Sequence, residues 1–139
     1  MKKTVISLTS LALTLILILT LVSCGDSKDL WEKATYLEDT AFGEGATTVQ
    51  VEVKAKDKSV TFTIKTDKKT LGDALLEHDL IAGEAGAYGL YVKVVNGITA
   101  DYDVDQSYWS LYKNGEYMMT GVDATEMANG EHYELVYTK

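Results

Sequence analysis

One cysteine, two histidines and nine tyrosines hold most of the side-chain chemistry open to this chain of 139 residues. The lone thiol, Cys24, closes an uncharged apolar run from Val5 to Val22 that follows Lys2 and Lys3. No second cysteine exists to pair with it, so it is a candidate for modification rather than for a disulfide. His78 and His132 lie far apart, and neither sits in a nucleophile-elbow or Cys-His pattern. P-loop and dinucleotide fingerprints are missing as well. Without an acid–base pair beside a nucleophile, the residues argue against an enzyme. Asp101, Asp103 and Asp105 alternate as at the start of an EF-hand loop. Gln106 then stands where that loop needs glycine, and Tyr112 where it needs glutamate. A cation site and a solvated acidic loop both remain open there.

The basic start, the apolar run and small Ser23 have the layout of an export signal over residues 1–23. A single membrane anchor has a similar apolar length, but Cys24 falls where a processing site belongs. Leu21-Val22-Ser23-Cys24 resembles the bacterial lipobox. That resemblance implies a diacylglyceryl thioether on Cys24, cleavage before it, and an extracytoplasmic lipoprotein held at the cell membrane. Two acyl chains on one residue anchor a protein firmly. Losing Lys2 and Lys3 moves the formal charge from -8 to -10, since 11 Lys then face 21 Asp and Glu. There is no arginine. An acidic surface of this kind excludes nucleic acid as a partner and charge-driven adsorption to anionic lipid.

Tyrosine is the better site candidate. All but Tyr36 lie at or beyond Tyr88. Tyr supplies a large contact area with a polar tip, and it is also a good strand residue. If Trp109 and Leu111 face a core, then Tyr108, Ser110 and Tyr112 face the other way. Tyr88, Tyr91, Tyr108, Trp109, Tyr112 and Tyr117 form the candidate ligand-binding set, with Met118 and Met119 beside it. Trp109 is expected to pack beneath the rest.

These residues need strands to position them. Residues 24–46 read as a tether with a short amphipathic helix around Leu30 and Trp31, broken by Gly43-Glu44-Gly45. The domain is expected over residues 47–139. Val49, Val51 and Val53, then Val60, Phe62 and Ile64, alternate with polar residues and predict a hairpin. Thr70 followed by Asp73 predicts a capped helix ending near His78. Residues 83–89, with three glycines, read as a loosened stretch. Leu90–Val95, Tyr108–Lys113, Glu116–Met119 and His132–Tyr137 predict further strands, with Asn-Gly turns at Asn96, Asn114 and Asn129. One helix on a small mixed sheet makes the expected class α+β, of β-grasp type.

The ordered set Val95-Asn96-Gly97-Ile98, Tyr108-Trp109, Asn114-Gly115, Thr120-Gly121-Val122 and Gly130-Glu131-His132-Tyr133 resembles the transcobalamin-like C-terminal domain of bacterial surface lipoproteins. More loosely, it is similar to the β-domain of intrinsic factor and transcobalamin. The resemblance implies a small ligand, with cobalamin or another corrinoid as the candidate, and a role beside an uptake system. In the eukaryotic carriers a helical barrel forms the other half of the cage. Its absence from this sequence implies weak binding, a different ligand, or a transporter or second binding chain as the other wall. A surface module for protein partners, without a small ligand, stays open as the alternative.

Replacing Cys24 with Ala is expected to leave an unlipidated precursor. Mass spectrometry of the membrane-extracted protein tests this, and an unmodified Cys24 together with an intact Met1 would refute it.

Overall fold

Alternation of period two gives a strand one apolar face, and two such strands joined by a tight turn bury those faces together. In the computed structural model, which describes residues 29–139, this logic extends well beyond the first hairpin. The elements run as a 3₁₀ turn (Leu30–Lys33), β1 (Thr40–Phe42), β2 (Thr47–Ala55), β3 (Lys58–Thr66) and helix α1 (Leu71–Glu77). Then follow β4 (Ile81–Gly86), β5 (Gly89–Val95), β6 (Ile98–Thr99) and the short helix α2 (Tyr102–Asp105). Strands β7 (Tyr108–Lys113) and β8 (Glu116–Tyr117), a 3₁₀ turn (Val122–Ala124) and β9 (His132–Thr138) complete the chain. The export signal and Cys24 lie outside the described residues. Among the described residues, no helix is long and apolar enough to cross a membrane.

Six strands form one sheet in the order β1-β3-β2-β9-β7-β8, and β4-β5-β6 form a second. Strand β2 pairs antiparallel with β3 and parallel with β9, which sets Val51 beside both Phe62 and Tyr133. The inner face of the large sheet carries Val49, Val51, Val53, Val60, Phe62, Ile64, Tyr133 and Leu135, all buried. Each such side chain contributes roughly 1.5–3 kcal/mol on burial. Leu71, Ala74 and Leu75 of α1, with Leu80, Val95 and Ile98, belong to the same core. Thr70 caps α1 as its spacing predicts, its Oγ1 accepting from the Asp73 amide at 3.3 Å. His78 ends α1 and packs its ring 5.3 Å from that of Phe42.

The expected α+β, β-grasp class is overturned. The described residues are 48% strand and 16% helix, which makes the fold mainly β, with two sheets. The main cause lies after α1. Ile81-Ala82-Gly83-Glu84-Ala85-Gly86 has poor strand propensity, yet it forms β4 by pairing along β5. At Gly83 a Cβ would stand 2.0 Å from the Tyr91 carbonyl oxygen, so glycine there permits the close pairing rather than loosening the chain.

From Asp29 onward, the stretch read as a tether is part of the fold. Trp31 is buried, and its Nε1 donates to the Ala55 carbonyl at 2.9 Å. Tyr36, Phe42 and Phe62 meet edge to face with centroids 5.1–5.7 Å apart. Asn96 fastens this segment to the small sheet. Its buried amide accepts from the Tyr36 N–H and donates to the Tyr36 carbonyl, both at 2.9 Å, and its own carbonyl accepts from Thr35 N at 2.9 Å. Asn96 and Gly97 have φ of 51° and 79°, the two positive values that a type I′ turn requires.

Asn96→Ala removes both side-chain bonds and places alanine at positive φ. We expect a loss of about 2 kcal/mol or more, read from urea denaturation. An unchanged midpoint would contradict the anchoring role.

Candidate ligand groove

Strand β7 carries Trp109 and Leu111 inward, as alternation requires. Trp109 is held from two sides. Tyr137 meets it edge to face at 5.7 Å, and its Nε1 donates to the Lys93 carbonyl at 3.2 Å. That second contact ties β7 of the large sheet to β5 of the small one. Where the two sheets meet, an open groove of about 480 Å³ is lined by Tyr91, Tyr102, Tyr108, Asp101 and Asp103. Tyr91 comes from β5, Tyr102 from α2 and Tyr108 from β7. The rings of Tyr102 and Tyr108 lie 6.4 Å apart, tilted by 60°.

The acidic side of the groove is locally ordered. Asp101 caps α2 by accepting from the Asp103 amide at 3.0 Å. Asp105 accepts from the amide and hydroxyl of Ser107, which hold its carboxyl below its ordinary value. These aspartates therefore form the cap and flank of a short helix instead of an EF-hand loop. Lys93 sits beside them, its ammonium 3.2 Å from Glu84 and 3.9 Å from Asp101. The bond to Glu84, with these carboxylates nearby, raises the Lys93 pKa above its ordinary value.

Of the six tyrosine and tryptophan candidates, the structure brings Tyr91 and Tyr108 together in the groove. Trp109 is buried and is not among the residues that line this groove. Tyr112 and Tyr117 form a separate edge-to-face pair at 5.6 Å on the β7–β8 hairpin. Tyr117 and Tyr91 also border a second depression with Met118 and Met119. Tyr88 stands at the tip of the β4–β5 hairpin, 97% exposed and away from the groove lining. Tyr102 is the residue that sequence reasoning missed. Its signal was Asp101 followed by Asp103, a cap pattern hidden within an apparent acidic loop.

Fold and groove together define a small two-sheet β domain with an aromatic-lined surface cleft. The chain belongs to the family described as domain of unknown function (DUF4430), which matches residues 68–139. A candidate metal binding protein from Ruminococcus gnavus has a similar structure, with a TM-score of 0.64 and 35% identity. That match covers 68% of this chain and 98% of that one. Haptocorrin in complex with Cbi is similar at a TM-score of 0.52 and 23% identity, over 70% of this chain and 26% of that one. The chain thus spans about a quarter of haptocorrin, and at that identity the likeness carries the fold alone. It bears out the transcobalamin-like resemblance at that level. No curated protein sequence matches.

Trp109→Ala is expected to cost roughly 3–5 kcal/mol, because it empties the joint between the sheets. Tyr112→Ala, at a half-exposed pair, is expected to cost about 1 kcal/mol or less. Thermal melts compare the two, and equal losses would contradict the burial argument.

Proposed function

We propose that this chain is a non-catalytic binding module for a small ligand, held outside the cytoplasm by lipid on Cys24. The observation that carries the reading is the convergence of Tyr91, Tyr102 and Tyr108, from three separate elements, on one groove. Stacking on phenol rings suits a broad, flat ligand, and Tyr hydroxyls suit polar groups at its rim. Asp101 and Asp103 supply acceptors for amide N–H donors. A corrinoid has this combination of a flat macrocycle and peripheral amides, and the haptocorrin likeness, in a complex with Cbi, supports that class. The groove is open on one side, so a transporter or second binding chain would complete the enclosure.

Calorimetric titration of the full chain in detergent with cobinamide tests the reading. Saturable binding is expected, with Tyr108→Ala and Tyr91→Ala each weakening it about tenfold or more while the fold stays intact. Unchanged affinity in both variants would overturn the assignment of the groove. No binding at all, beside capture of a protein partner, would replace the ligand module with an interaction module.

A second reading, binding of a metal ion, is favoured by a specific group. Glu52, His132 and Glu134 bring a ligand atom each to within 4.8 Å of one another. The name of the Ruminococcus gnavus relative supports it.

A further inference from the structure

Strands β2 and β9 run parallel, with Glu52 paired to Glu134 and Gln50 to His132. All four side chains therefore project from the same face of the large sheet, opposite the face that buries Val51 and Tyr133. The two carboxylates are oriented alike. Their Oε1 atoms face the His132 ring, with Nε2 at 3.4 Å from Glu52 and 3.9 Å from Glu134. Their Oε2 atoms face Lys54, whose ammonium lies 2.9 Å from Glu134 and 3.9 Å from Glu52. On its far side, the His132 ring places Nδ1 3.5 Å from the Gln50 side-chain oxygen. On the other side of the ring, Nε2 is aimed between two carboxylate oxygens. A ring nitrogen and two carboxylate oxygens converging on one point are the arrangement a cation can bridge.

We infer that Glu52, His132 and Glu134 hold a divalent transition-metal ion of the zinc class through Oε1, Nε2 and Oε1. The inference deepens the metal-ion reading above and rests on it, but not on the tyrosine groove, with which it shares no residue. Zinc bonds to nitrogen and oxygen of about 2.0–2.1 Å put tetrahedral ligands about 3.3 Å apart. The observed 3.4 and 3.9 Å need only a small closure. The imidazole favours zinc, copper or nickel over calcium and magnesium, which take oxygen ligands. All three side chains are partly exposed, so water can fill the fourth position. Gln50 acts as a positioning residue, fixing the ring from behind. Lys54 competes with the ion for the same two carboxylates and keeps the site weak.

The test is titration of the full chain with Zn²⁺ alone, its thiol lipidated or alkylated so that sulfur supplies no ligand. Co²⁺ serves as the spectroscopic reporter. One ion per chain is expected, with the visible absorption of a tetrahedral cobalt site. His132→Gln and Glu134→Gln are each expected to weaken zinc binding at least tenfold, and Gln50→Ala about tenfold. Lys54→Gln is expected to tighten it. Circular dichroism melts close to wild type would show that these surface variants stay folded. Zinc binding that persists unchanged in His132→Gln would place the ion elsewhere and overturn this site while sparing the metal reading. No zinc binding by the folded wild-type chain would overturn both, and leave the group as an ion-pair network.

Discussion

The parallel pairing of β2 with β9 is the constraint on which the rest of the molecule depends. It joins Gln50 to His132 across 82 positions of sequence. Everything between them, from β3 through the helices and the small sheet to β8 and the second 3₁₀ turn, is the crossover that parallel strands require. On one face the pairing aligns Val51 with Tyr133 and Val53 with Leu135, and these four side chains are almost fully buried. On the other face it aligns Glu52 with Glu134 beside His132. Strand β7 hangs from β9, so the place of Trp109, and of the tyrosine groove beside it, follows from the same alignment. A one-residue slip would turn the apolar set outward and dissolve both surface groups at once.

What the sequence discloses is governed by how local each cause is. The β2–β3 hairpin, the Thr70 cap and the paired positive φ values at Asn96-Gly97 and Asn114-Gly115 have causes within a few residues, and all are present. The parallel pairs β1–β3 and β2–β9 leave no such trace, because nothing within Thr40–Phe42 or His132–Thr138 names its partner. Strand β4 is the sharper case. Its Gly, Ala and Glu residues are poor strand formers, and pairing with β5 overrides that, which is why a helix-and-sheet reading gave way to two sheets. The candidate site was partly legible for the same reason. Alternation in β7 separates Trp109 from Tyr108, but Tyr102 reaches the groove only through a helix of four residues. The Glu52–His132–Glu134 group was illegible without the β2–β9 register.

Asn96 illustrates a residue whose local role concealed a distant one. An Asn-Gly pair is sufficiently explained as a turn between β5 and β6. Yet the same amide receives the backbone of Tyr36, and Gly97 leaves room that a Cβ would deny, 2.4 Å from the Lys33 carbonyl oxygen. One turn thus closes a hairpin and docks the segment that brings Trp31 and Tyr36 onto the core. Folding of the small sheet and ordering of residues 29–42 are coupled through that side chain.

Both margins of the large sheet are brief. Strand β1 offers three residues along one side and β8 two along the other. A long free strand invites a neighbouring copy to add itself by backbone pairing. Along β1 or β8 such a copy would find only a rung or two, too few to repay the ordering of an incoming segment, whereas β4 leaves six residues along the edge of the small sheet. Pairing between copies is therefore discouraged at the two ends of the large sheet and left to the glycine-containing margin of the small one.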